Sequence, residues 1–182
     1  MYNYGVLAPI QNTIFSSLAT AKTFSGVNDL DIVVDLDKII EGMEFQSAEM
    51  QAFLNSKTGE IVVITEEEFW AAEKDEPLEK FPQWQQENIM TARKILAEDH
   101  YIGLPSQFDI HEYSIMESFC LSINDGKLQD IMYSSIKGSG AFRRFKDNIR
   151  RYHIEEDWYK YRDEAIKEIA IEWCEDNKIR YK

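Results

Sequence analysis

A chain of 182 residues with 44% hydrophobic and 29% charged residues is sized for one ordinary domain, and this balance excludes a disordered polymer. The formal net charge of −13 disfavours non-specific binding of nucleic acid or an anionic membrane by the whole surface, because an acidic body repels both. The charge is uneven: residues 1–135 hold 8 Lys/Arg and 23 Asp/Glu, or −15, whereas residues 136–182 hold 12 and 10, or +2.

Residues 1–30 are rich in Ser, Thr and Asn and carry Lys22 as their one charge before Asp29. They read as a weakly structured N-terminal arm or extension, with a short helix at 11–22, ahead of a single α+β domain over 31–182. They lack a basic start and an apolar core, so no signal peptide is expected. Ile32–Leu36 reads as a short strand, and Asp37 can cap a helix carrying Ile39, Ile40 and Met43. Two β-rich runs, 50–54 and 60–65, flank Asn55-Ser56-Lys57-Thr58-Gly59. This is the pattern of a hairpin whose late glycine takes the left-handed conformation.

Thr65 with Glu68 forms a capping box opening a helix with Phe69, Trp70 and Ala72. A Pro-punctuated break over 75–82 precedes a helix from Trp84 to Glu98, and 100–105 is extended before Pro105. Ser106 with Asp109 opens a helix whose stripe is Ile110, Tyr113, Met116, Phe119, Cys120 and Ile123. Leu128, Ile131, Met132 and Ile136 mark a shorter helix that Gly138 can close. A basic helix follows, then a long one over 155–176 with the stripe Trp158, Tyr161, Ala165, Ile166, Ile169, Ala170 and Trp173. Strands and helices are segregated, so the expected fold class is α+β and mainly helical: a small antiparallel sheet or hairpin at about 32–65 and a helical C-terminal half.

Residues 138–152, GSGAFRRFKDNIRRY, carry five cations against Asp147. At about 100° per residue, Phe142, Phe145, Ile149 and Tyr152 share one sector. Arg143, Arg150 and Arg151 face away, with Arg144 and Lys146 at the flanks. Ser139 between Gly138 and Gly140 can act as N-cap. Free N–H groups at the helix start, together with Arg143 and Arg144, then suit an anion. The candidate binding residues are therefore Gly138, Ser139, Gly140, Arg143, Arg144, Lys146, Arg150 and Arg151. The competing reading is structural: the glycines serve turns, and the arginines pair with the acidic body.

The other constellations are weaker. Cys120 and Cys174 sit in apolar helical patterns and read as buried thiols in a reducing compartment. His100, His111 and His153 show no metal-ligand spacing, and no catalytic residues, metal or cofactor are expected. Glu164, Glu168 and Glu172 recur every fourth residue, within pairing reach of Lys160 and Lys167, and read as a solvated face. Trp158 and Tyr161 read as core, and Tyr159 is the aromatic left over for stacking. With no apolar run of about 18 residues, no membrane span is expected, and the compartment reads as cytoplasmic.

The run GSGAFRRFKDNIRRYHIEEDWYKYRDEAIKEIAIEW resembles the C-terminal signature of an uncharacterised family of small acidic bacterial proteins. IVVDLDKIIEGME, SKTGEIVV and LPSQFDIHEYSIMESF are similar to its N-terminal half. The resemblance covers about residues 32–177 and implies a bacterial origin, a mixed α/β domain and no established activity. Its pattern positions include Gly138, Gly140, Phe142, Arg143, Arg144, Phe145, Asp147, Trp158 and Arg162. The expected function is a non-enzymatic binding module whose basic helix docks an anionic ligand, a nucleic-acid backbone or an acidic protein. The alternatives are an acidic-surface protein that binds a basic partner, as a nucleic-acid mimic or inhibitor does, and an enzyme acting on a phosphorylated substrate at Ser139.

Overall fold

The computed structural model describes residues 32–182, so the expected N-terminal arm lies outside the described residues. Strand β1 (Val33–Val34) leads into helix α1 (Leu36–Phe45). The N-cap is Asp35, whose carboxylate accepts from the Asp37 N–H at 3.1 Å, in place of the Asp37 cap expected. Asp37 stands instead in the first turn, where its charge faces the positive end of the helix dipole.

Strands β2 (Met50–Asn55) and β3 (Ile61–Thr65) form the hairpin read from the sequence. Asn55 organises its turn: the side chain accepts from the Lys57 and Thr58 N–H groups, and its carbonyl accepts from Gly59, which has φ +75°. Thr65 and Glu68 complete the capping box that starts α2 (Glu66–Glu73). A 3₁₀ turn at Leu78–Lys80 and helix α3 (Gln83–Ala97) follow. The extended segment then becomes β4 (Tyr101–Gly103), which pairs antiparallel with β2 to give the order β3-β2-β4.

Alternation along β2 builds two cores. Ala52 and Leu54 point to one face of the sheet, and Phe53 points to the other. Phe53, with Ile64, packs on Phe69, Ala72, Ile89, Ala92 and Ile95 of α2 and α3. Ala52 and Leu54 pack on α1 and the C-terminal helices. Leu54 is fully buried, which stabilises by about 2 kcal/mol relative to exposure. Helix α1 approaches the sheet at Gly42, where a Cβ would stand 2.6 Å from Leu104 Cδ1. Glycine is needed there for close approach.

The helical half runs α4 (Gln107–Ile110), α5 (Glu112–Ser122), α6 (Gly126–Ser135), α7 (Ala141–Arg151) and α8 (Glu155–Asp176). The helix expected from Ser106 is divided at His111, whose φ of +46° reorients the chain after one turn. Tyr113 of the expected stripe is therefore 37% exposed, while Met116, Phe119 and Cys120 are buried. Strand β5 (Arg180–Tyr181) returns beside β1 in parallel, so residues 33–34 pair with the C-terminus and not with the hairpin sheet. The architecture is α+β and mainly helical. Its three-stranded antiparallel sheet reaches beyond the expected 32–65 to include β4. Among the described residues, no helix is long and apolar enough to cross a membrane.

Candidate functional site

The basic helix is held by its aromatic side. Phe145 and Ile149 are buried, and Phe145 lies 4.7 Å from the Trp158 ring and 6.0 Å from Phe119 in edge-on geometry. Phe119 also meets Trp158 and Tyr161 at 5.3 and 5.5 Å. Three helices, α5, α7 and α8, thus share one aromatic centre, and such pairs add about 1 kcal/mol each beyond their buried area. Phe142, assigned to the same sector, lies at its edge and is 46% exposed, with its ring 6.5 Å from Tyr113.

The Gly-Ser-Gly turn is built differently from expectation. The N-cap of α7 is Gly140, at φ +76° and without a side-chain cap, and not Ser139. Gly138 is also left-handed, at φ +78°. The turn is closed by Arg144. Its guanidinium donates from Nε to the Ser135 carbonyl at 2.8 Å, from Nη2 to the Lys137 carbonyl at 2.7 Å, and from Nη1 to the Ser139 carbonyl. The Ser135 carbonyl is left over at the C-terminal end of α6 and the other two belong to the turn beyond it, so Arg144 both caps that helix and closes the turn. A Cβ at Gly140 would press on the same guanidinium at 3.1 Å.

The remaining cations point outward. Arg143, Lys146, Arg150 and Arg151 are all exposed. Arg150 lies 3.5 Å from Glu155 at the start of α8, and Arg151 stands over the Tyr152 ring at 5.7 Å. Arg143 and Lys146 have no partner among the described residues. None of the five cations pairs with a carboxylate of residues 32–135.

The weaker constellations stay apart. Ser139 is exposed in its turn, and no carboxylate or imidazole bonds its hydroxyl among the described residues. His100 pairs with Glu98 at 3.1 Å, His111 marks the α4–α5 break, and His153, at φ +57°, joins α7 to α8 through its N–H on the Arg150 carbonyl. Glu164, Glu168 and Glu172 form an exposed face, but Lys160 and Lys167 make no ion pair with them. Tyr159 is exposed and Trp158 is core. Cys120 and Cys174 are free, and burial pushes both thiols up to about 11. Among the described residues, no group of three or more His, Cys, Asp or Glu could hold a metal ion.

Three polar structures escape sequence reasoning. The first is Arg144, described above. The second is Glu68, buried at 1% exposure, whose second carboxylate oxygen accepts from Asn88 of α3 at 2.7 Å. The third is Arg162 of α8, which bonds Glu44 of α1 at 2.9 Å and Glu112 of α5 at 3.3 Å. Burial alone would lower the Arg162 pKa; the Glu44 and Glu112 carboxylates outweigh it and hold the guanidinium above its ordinary range. Beside this junction, Asp37, Ile40, Glu44, Asp163, Glu164 and Lys167 line an open acidic cleft of about 370 Å³.

Residues 30–182 match a family described as an uncharacterised protein family, UPF0158. A UPF0158 protein of Pseudomonas aeruginosa is 27% identical over 67 residues, which is 36% of this chain and 44% of the relative. The match therefore spans less than half of that relative's length. No solved structure matches this chain. With 30–182 covering every described element, the chain belongs to the UPF0158 family.

Proposed function

We propose that this protein is a non-enzymatic, cytoplasmic binding module that docks a polyanionic partner, a nucleic-acid backbone or an acidic protein face, on the outer side of α7. One observation carries the reading: Arg143 and Lys146 are exposed and unpaired among the described residues, and Arg150 and Arg151 stand beside them. Unpaired cations on a rigid helix keep their full charge for a partner and fall within one Debye length of each other. Gly138, Ser139 and Gly140 contribute the turn that sets the helix in place, and Arg144 serves by locking that turn. Two buried thiols are consistent with a reducing compartment.

Titration of fluorescent heparin by anisotropy tests this, because heparin reports charge alone. Affinity is expected to fall steeply with salt. The triple variant Arg143→Glu, Lys146→Glu, Arg151→Glu is expected to lose at least tenfold. Salt-independent binding, or a triple variant that binds as well as the parent, would sink the idea. A second reading, in which the acidic body receives a basic partner, draws on the cleft lined by Asp37, Glu44, Asp163 and Glu164. Oligolysine in the same assay separates the two: tight oligolysine binding with no heparin binding favours the cleft. An enzyme acting on phosphorylated substrates has less support, since Ser139 has no base and Arg144 is committed to carbonyls.

A further inference from the structure

We propose that α7 is a stacking ledge for single-stranded nucleic acid, with Phe142 receiving a base and Arg143, Lys146 and Arg150 holding the flanking phosphates. This rests on the reading of α7 as a polyanion-docking helix, and names its ligand. Phe142 is the observation that charge alone leaves unexplained. A ring assigned by periodicity to the apolar sector is instead 46% exposed, on the helix that carries Arg143 and Lys146. Its packing is one-sided. The Tyr113 ring meets it at 69°, and the Tyr113 hydroxyl is fixed by donating to the Ile136 carbonyl at 3.1 Å. The Phe142 ring is therefore buttressed from one side.

Phe142, Lys146 and Arg150 recur at four-residue spacing, about 6 Å apart along the axis, each step turning about 40° from the Phe142 edge toward the basic face. Arg143 lies beside this series. An aromatic platform beside a line of cations is the arrangement that binds single strands without sequence preference, because every base has a π-face and every nucleotide a phosphate. A duplex fits less well. Its bases are already stacked, and its length would carry phosphates across the −15 half of the molecule, which repels them. A strongly acidic protein face pairs with the cations but offers the ring little apolar surface, whereas every base offers a π-face. The ledge is one helix of 11 residues, about 16 Å long, so it holds only a few nucleotides.

Anisotropy with the full chain at low salt tests the ledge, using a labelled mixed-sequence single strand as RNA and as DNA, the matching duplex, and heparin. The parent protein is expected to bind either single strand about tenfold tighter than the duplex. Phe142→Leu keeps an apolar side chain against Tyr113 but removes the π-face. It is expected to lose roughly tenfold on single strands, the scale of one base–aromatic stack, and to leave heparin binding unchanged. Phe142→Trp is expected to retain binding or tighten it, which a merely structural role would not give. Equal affinity for single strand and duplex, or an equal loss on heparin for Phe142→Leu, overturns the ledge while polyanion docking stands. If Arg143→Glu with Lys146→Glu leaves heparin binding unchanged, both readings fall.

Discussion

Helix α7 and the junction around Arg162 use the same chemistry to opposite ends. At the junction, one guanidinium on α8 is shared by Glu44 and Glu112, carboxylates of two other helices, and is half-buried by them. On α7, four cations are exposed, and among the described residues their ion pairing is one contact of 3.5 Å, from Arg150 to Glu155. Among the described residues, no carboxylate of residues 32–135 pairs with α7. Positive charge needed for the fold is therefore placed singly and bonded on several sides. On α7 the positive charge is clustered, and Arg143 and Lys146 have no partner among the described residues. Arg143 and Arg144, adjacent in sequence, divide along the same line: one is free, the other holds three carbonyls.

Removing Arg162 is the strongest way to break this comparison. Arg162→Ala removes a side chain that bonds both α1 and α5 from α8, and leaves Glu44 and Glu112 to rehydrate at about half exposure. Hydrogen bonds to charged groups contribute about 1.5–3 kcal/mol, so a loss of about 2 kcal/mol is expected, read from the urea midpoint at constant slope. Arg162→Lys should recover less than half, because an ammonium cannot span two carboxylates in a planar fork. A loss below about 0.5 kcal/mol would place Arg162 with the ornamental surface pairs.

The adjacent arginines give the next largest effect. Arg144→Ala uncaps the C-terminal end of α6, and the freed carbonyls turn to water, so about 1 kcal/mol is expected. Arg143→Ala should stay within about 0.5 kcal/mol, as exposed substitutions without partners do. Thermal melts of the two variants side by side settle the point. Equal losses would erase the distinction between the structural and the free arginine, and with it the choice of Arg143 for the binding test.

How much of this was legible in the sequence follows from distance along the chain. The Asn55–Gly59 turn and the Thr65–Glu68 and Ser106–Asp109 capping boxes are contacts within a few residues, and each forms as its residues require. The aromatic anchors Phe145 and Trp158 follow from helical period. Strands β4 and β5 are too short to carry a pattern, and their partners lie about 50 and 147 residues away. Arg162 reaches across 50 and 118 residues, which no local rule connects. Ser139 failed as a cap for a different reason. Arg144 folds back over the turn, and the left-handed Gly140 takes the cap position. Phe142 lies at the sector edge, where period alone does not divide core from surface.

The smallest effect sharpens the comparison from a third kind of cation. Lys137 precedes the Gly-Ser-Gly turn, and unlike Arg143 it is engaged: its ammonium bonds Glu117 of α5 at 3.0 Å and sits over the Tyr133 ring at 3.7 Å. The Lys137 hydrogen bond, and then its charge, hold the Glu117 carboxyl below its ordinary 4.5. A carboxyl depressed in the folded state stabilises above its unfolded value, and that contribution is lost as pH falls through the folded value. Stability linked to Glu117 is thus fully present at neutral pH, begins to fall near the ordinary value of 4.5 and is gone only below the depressed folded value. Glu117→Gln should lower the melting temperature slightly at pH 7 and leave it unchanged at the acid end, so the parent and variant curves converge below that pH. Curves that stay parallel to the lowest pH would mean that the charge of the Lys137–Glu117 contact does nothing for the fold.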